Sequence, residues 1–247
     1  MYTYPDHQDY LTSKMIESIE LYPGYWKDSE NRILDIAKNH IQKHHKTLLD
    51  IGCGEGRLLW EFEPYFENII AIDPDTKRLQ VAQENAKKKN LSHKIAFQNT
   101  TVDYIDTRVD AILCSHVLQH ISTDYLPVLF SKIKDILHQN GLLIITTCHS
   151  TMGEDYYTKQ YWQDGLREEH ITEDQFNSLT RNSKNILPHH HFTFNTLNNL
   201  VWPMKITESQ IFHITDDFPA LNVDEITNTM SYFKSRHGRD IMITASW

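Results

Sequence analysis

Five short apolar segments punctuate the first 150 residues: Thr47–Ile51, Ile69–Asp73, Lys94–Gln98, Val109–Ser115 and Leu142–Thr147. Most are hydrophobic at consecutive positions rather than alternate ones. That pattern belongs to strands covered on both faces. The stretches between them have helical spacing. Ile33, Ala37 and Ile41 share a face in a helix from Asp28 to about His44, capped by Asp28 or Ser29. Arg57 to about Phe66 reads as a helix. Thr76 to Lys89 reads as another, with Leu79, Ala82 and Ala86 inward. A helix from Asp124 to His138 carries Leu126, Leu129, Ile133 and Ile136, with Asn140-Gly141 as its stop. Strand and helix in alternation predict an α/β fold, a mostly parallel sheet with helices on both faces.

After Cys148 the pattern changes. Residues 150–191 are polar and aromatic with little apolar periodicity, and read as an inserted lid. Periodicity resumes at Thr196–Val201, and two late strands fit Lys205–Ile214 and Ile241–Ser246. The first 27 residues are rich in tyrosine and precede the first strand, where they would cover the sheet edge. The chain is expected to be one domain: a helical N-terminal cap over 1–46, a core over 47–149, the lid over 150–191, and the rest of the core over 192–247.

Composition narrows the function classes. The 247 residues are 40% hydrophobic, enough for a core, and the formal net charge is −9. A negative surface repels phosphate backbones, so nucleic acid is a disfavoured partner. Lys87-Lys88-Lys89 sits at a helix end, where cations complement the dipole. Three scattered cysteines make no disulfide framework, and the sequence reads as cytoplasmic. No apolar run approaches the roughly 20 residues of a membrane helix. No basic-then-apolar leader is visible.

The chemistry concentrates in Leu48-Leu49-Asp50-Ile51-Gly52-Cys53-Gly54-Glu55-Gly56. A strand runs into a glycine turn and then a helix, and the next strand ends in a carboxylate, Asp73. This places backbone and an acidic group at one sheet edge, within reach of a nucleotide. The spacing is not the Gly-x-Gly-x-x-Gly of a dinucleotide site, and no Walker lysine follows. Together with Ala-Ile-Asp-Pro-Asp at 71–75, Val109 to Ile121, and Asn-Gly-Leu-Leu-Ile-Ile-Thr-Thr at 140–147, the segment resembles the class I S-adenosylmethionine-dependent methyltransferases.

The resemblance implies a Rossmann-like seven-stranded sheet, S-adenosyl-L-methionine as cofactor and S-adenosyl-L-homocysteine as product. It implies that Asp50, Gly52, Cys53 and Gly54 form the methionine cradle and that Asp73 receives both ribose hydroxyls. Pro74 and Asp75 would lie beside the adenine. Thr100 and Thr101 stand where many members cap the adenine amino group with an Asp. Cys114 and Ser115, at the end of the fourth strand, would frame the methionine ammonium.

The acceptor is read less directly. His116 and His120 follow the fourth strand at the substrate edge, and imidazole titrates near neutrality, so both are candidate bases. No Asn/Asp-Pro-Pro-Tyr/Phe motif and no carboxylate set for a divalent metal is visible. Adjacent histidines diverge on regular elements, so His189-His190-His191 is not expected to hold a metal, though His191 is a candidate substrate contact. Tyr25 and Trp26 are the aromatic residues most expected to touch a ligand. The expected activity is methyl transfer to oxygen or nitrogen of a small-molecule acceptor. The alternatives are a peptide, protein or tRNA acceptor, or a non-catalytic cofactor-binding module. Oligomeric state is not legible.

Overall fold

The computed structural model describes residues 34–150, 152–162, 166–182, 186–212 and 240–247. Its strands are β1 (Thr47–Ile51), β2 (Asn68–Ile72), β3 (Ile95–Gln98), β4 (Val109–Ser115), β5 (Leu137–Cys148), β6 (Tyr156–Trp162), β7 (Leu166–Ile171), β8 (Leu187–His191), β9 (Lys205–Phe212) and β10 (Asp240–Ser246). The helices are α1 (Leu59–Phe62), α2 (Thr76–Lys88), α3 (Leu126–Ile136), α4 (Glu173–Asn182) and α5 (Phe194–Val201). Residues 34–38 are also helical, with Leu34 and Ala37 buried, but the helix read to about His44 stops at Lys38, and residues 39–44 form turns and irregular chain, so Ile41 lies beyond it. Ile33 and the caps proposed for that helix lie outside the described residues.

A seven-stranded sheet has the order β3-β2-β1-β4-β5-β10-β9. The pairs β1–β2, β1–β4, β2–β3 and β4–β5 are parallel. Only β10 runs against its neighbours, between β5 and β9. Side chains alternate across a strand, and the core divides accordingly. Leu49, Ile51, Ile112, Leu143, Ile145, Ile241 and Ile243 pack with α3 and α5 on one face. Leu48, Ala111, Leu113, Ile144 and Met242 pack with α1 and α2 on the other. Burial on both faces accounts for the unbroken apolar runs in the sequence.

The start of α2 is fixed by Asp75. Its Oδ1 accepts from the amides of Lys77 at 2.9 Å and Arg78 at 3.1 Å. Asp75→Ala removes this cap and should cost about 1 kcal/mol. Urea unfolding checks it, and an unmoved midpoint would dismiss the cap.

Three further expectations change. The helix read from Asp124 to His138 ends at Ile136, and Asn140-Gly141 is not its stop but lies inside β5. Leu137 is already extended and buried. The register shifts between Val109↔Leu137 and Ala111↔Leu142, a bulge that absorbs the extra residues. A β-carbon on Gly141 would meet Leu137 Cδ1 at 2.5 Å, so glycine serves close packing there. The helix read over 57–66 is one α turn, α1, followed by a 3-10 turn over Glu63–Tyr65 with Pro64 in it. The third change is in residues 150–191, which build a second antiparallel sheet of order β7-β6-β8, with α4 beside it. Its buried positions include Thr158, Gln160, His189 and His190, polar residues that leave no hydrophobic rhythm to read.

A candidate cofactor and acceptor cleft

The glycine turn is tied to the end of β2. The amides of Gly52 and Cys53 both donate to the Ile72 carbonyl, at 2.8 and 3.0 Å. The amide of Gly54 donates to Asp73 Oδ2 at 2.8 Å, and that of Asp75 to Asp73 Oδ1 at 2.8 Å. Asn99, just past β3, donates its Nδ2 to the Asp73 carbonyl at 2.9 Å. Asp73 is therefore held from three directions at the carboxyl edge of the sheet, where open α/β sheets bind ligands. Asn99 has no signature in sequence, since one polar residue after a strand looks like any loop residue.

The charge at this edge is restrained. Asp50 is 3% exposed, and burial, with the Asp73 charge adding, pushes its carboxyl up to about 7. Burial also raises Asp73, against the pull of the Asp75 and Gly54 amides. Two close carboxyls in a dry site favour sharing fewer than two charges. Cys53 and Cys114 are buried, and burial pushes both thiols up, so neither has thiolate character.

Gly52 has φ +73°, and a β-carbon there would stand 2.4 Å from Val117 Cγ2. At Gly54 the added carbon would meet Arg78 Nη2 at 2.8 Å. The guanidinium of Arg78, on the first turn of α2, thus lies across the glycine turn. In sequence Arg78 looks like an ordinary helix-surface cation.

The acceptor-side segment follows β4. Ser115 Oγ and Thr146 Oγ1 are 2.6 Å apart. His116 has φ +54°, rare for a residue with a side chain, and its amide donates to the Thr146 carbonyl at 2.8 Å. Burial lowers the His116 imidazole; Asp240 opposes the shift and Arg57 reinforces it. His120 ends a 3-10 turn over Leu118–His120 and is 5% exposed. Its Nδ1 is 2.8 Å from the Pro188 carbonyl. A carbonyl only accepts, so Nδ1 carries the hydrogen. Burial lowers His120 to about 4, with His116 and Arg78 adding to the effect and the Pro188 carbonyl opposing it. Beneath it, Gln119 Oε1 accepts from Thr147 Oγ1 at 3.2 Å and the Cys148 amide at 3.3 Å, a brace not read from sequence.

The remaining residues fall as follows. Pro74 is exposed beside Asp73. Thr100 Oγ1 donates to the Thr101 carbonyl at 3.3 Å, and Thr101 Oγ1 to Asp103 Oδ2 at 2.9 Å, so both hydroxyls are engaged locally. His191 belongs to β8, stacked on Tyr156 at 4.2 Å and 3.0 Å from Thr158 Oγ1. His190 points to the opposite face and donates Nε2 to Asp155 Oδ2 at 2.7 Å. Among the described residues no three His, Cys, Asp or Glu side chains are grouped to hold a metal. Tyr25 and Trp26 lie outside the described residues.

Comparisons with known proteins bear on the family and the fold. Residues 19–183 match the family described as methyltransferase domain. A probable S-adenosylmethionine-dependent methyltransferase of Saccharomyces cerevisiae is 32% identical over 111 residues, 42% of this chain and 37% of that protein. A ubiquinone biosynthesis O-methyltransferase of Rhodopseudomonas palustris is 29% identical over 125 residues, 47% of this chain and 48% of that protein. The matches thus span less than half the length of these relatives. Among solved structures, an S-adenosylmethionine-dependent methyltransferase from Clostridium acetobutylicum superposes with TM-score 0.62 at 13% identity, covering 96% of this chain and 98% of that one. The 1,6-didemethyltoxoflavin-N1-methyltransferase of Burkholderia thailandensis gives 0.59 at 16%, covering 95% and 86%. These structural likenesses establish the Rossmann-like class I fold, and with the domain match over two-thirds of its length the chain belongs to the methyltransferase-domain family.

Proposed function

We propose that this protein is an S-adenosylmethionine-dependent methyltransferase acting on oxygen or nitrogen of a small molecule in the cytoplasm. The observation that carries the reading is the anchored Asp73 beside the glycine turn. Each carboxylate oxygen accepts one backbone amide and keeps further acceptor capacity, which suits a ribose diol. A β-carbon at Gly52 would run into Val117, so glycine lets the turn lie directly against the segment after β4. When bound, the cofactor supplies a methyl group on a good leaving group, so the protein's task is alignment and exclusion of water.

In this reading Asp50, Gly52, Cys53 and Gly54 border the methionine portion, and Cys114 and Ser115 close its other side. Pro74, Thr100 and Thr101 border the adenine. His116 and His120 face the acceptor, the neutral His120 presenting Nε2 as a hydrogen-bond and proton acceptor. Tyr25, Trp26 and His191 are the substrate contacts. Two of the relatives named above, the ubiquinone biosynthesis O-methyltransferase and the 1,6-didemethyltoxoflavin-N1-methyltransferase, are described by small-molecule chemistry, and the acidic composition disfavours nucleic acid. Among the described residues no helix is long and apolar enough to cross a membrane.

Calorimetric titration with S-adenosylhomocysteine tests the reading, and absence of binding would sink it. Asp73→Ala should weaken that binding by about 2 kcal/mol, the scale of hydrogen bonds to a charged group. Unchanged affinity would remove Asp73 from the site.

A further inference from the structure

The acceptor-side segment between β4 and α3 has little structure of its own. It begins at His116, whose φ of +54° persists only where the surroundings enforce it. Its regular part is the 3-10 turn Leu118–His120, with Leu118 buried in the core. From Ile121 to Tyr125 the chain is half-buried or exposed. There α4 takes hold of it.

Glu173, Asn177 and Arg181 follow one another at a spacing of four, so they form one stripe along α4. All three meet the same two residues of the segment. The Thr123 amide donates to Asn177 Oδ1 at 2.9 Å, and Asn177 Nδ2 donates to Thr123 Oγ1 at 2.8 Å. A backbone amide only donates, so a single orientation of the Asn177 carboxamide satisfies both bonds. The Thr123 hydroxyl passes its own hydrogen to Glu173 Oε1 at 2.6 Å. Arg181 pairs with Asp124, and that ion pair is open to solvent and contributes little.

The support beneath Asn177 is well anchored. At the start of α4 the Thr172 amide donates to Gln175 Oε1 at 2.9 Å, and the Gln175 amide donates to Thr172 Oγ1 at 3.2 Å, a reciprocal cap. Phe176, next to Asn177, is fully buried beside the rings of Tyr157 and His190. Strand β8 of the second sheet grips the segment again, where the Pro188 carbonyl accepts the His120 Nδ1 hydrogen. His120 and Thr123 are close in sequence, so the two grips bracket the end of the turn that carries the imidazole.

We propose that the second sheet and α4 form a clamp on the acceptor-side segment, with Asn177 as a positioning residue that acts through Thr123 on His120. This rests on the methyltransferase reading and adds a residue to its acceptor side.

Exchange of the His120 Nδ1 hydrogen with solvent reads the clamp without an acceptor. NMR of the isotope-labelled full chain follows it, with the signal assigned by its loss in His120→Gln. In the wild type this hydrogen is buried and bonded, so its exchange should be slow. Asn177→Ala removes both carboxamide bonds, and alanine does not weaken a helix. It should quicken the exchange about tenfold or more, the scale of one hydrogen bond. Thr123→Val should do the same, whereas Thr123→Ser keeps the hydroxyl and should stay within about threefold of wild type. The Cys53 amide, bonded to the Ile72 carbonyl, should keep its rate in every variant, since only a general loss of stability would quicken both. With saturating methyl-labelled S-adenosylmethionine and a small-molecule cell extract, Asn177→Ala and Thr123→Val should transfer label about tenfold or more slowly at unchanged S-adenosylhomocysteine affinity. Unchanged His120 exchange in Asn177→Ala, equal quickening at Cys53, or undiminished label transfer overturns the proposal while cofactor binding stands. Failure of the wild type to bind S-adenosylhomocysteine overturns the underlying reading instead.

Discussion

Gly52→Ala is expected to destabilise the protein by about 3 kcal/mol and to reduce cofactor affinity severely. Two costs combine. At φ +73° an L-residue with a β-carbon pays roughly 1–2 kcal/mol. The new carbon also stands 2.4 Å from Val117 Cγ2. Valine is β-branched and short, so it cannot swing clear, and overpacking of this kind costs roughly 1–3 kcal/mol. Val117 follows His116, so relief of the clash would move the acceptor-side segment as well. Gly54→Ala is the control. Its φ of +54° carries a similar backbone penalty, but the clash is with Arg78 Nη2, the far end of a flexible side chain. Its stability loss should therefore be about 1–2 kcal/mol. Urea unfolding and S-adenosylhomocysteine titration of both variants decide the matter. Equal losses would mean that the Val117 contact is not the cause.

Asp50→Asn should make the protein more stable above neutral pH, by up to about 4 kcal/mol, and change it little near pH 4. In the unfolded chain this carboxyl ionises near 3.8, in the folded one near about 7. Between those values the folded protein keeps a proton that the unfolded chain has released. Stability then falls as pH rises through the window, and the loss is complete above it. Three pH units correspond to about 4 kcal/mol. Asparagine has no such titration, so the two proteins should diverge progressively from pH 4 to 8. Parallel stability curves across that range would show that Asp50 does not carry the shift. The wild type thus retains an acid that weakens it, next to Asp73, in the part of the fold assigned to the cofactor.

Much of this edge was legible from residue order. The strands of the large sheet are buried on both faces, so their hydrophobicity is continuous and their ends are marked by Gly52, Asp73 and Ser115. The anchoring of Asp73 follows from its place after β2, one strand over from the glycine turn. The illegible parts share a cause. Asn99, Gln119 and Arg78 act through long-range contacts, which no local pattern encodes. The second sheet buries Thr158, Gln160, His189 and His190, and hydrophobic periodicity cannot register a buried polar face. Asn140-Gly141 carried a helix-stop signal, yet the bulged pairing of β4 with β5 drew it into a strand. There the tertiary register overrode the turn chemistry.

The antiparallel strand β10 also bears on how the fold is reached. β5 and β9 do not touch as neighbours; β10 lies between them. Cys148 pairs with Asp240 and Leu142 with Ser246, so this half of the sheet closes a loop on the order of a hundred residues before it joins β5. Such a closure is entropically late. The parallel strands β1 to β4, which carry the glycine turn and Asp73, join through far shorter connections. Assembly therefore has a natural order in time: the nucleotide-facing half organises first, and the half that carries β9 is joined last.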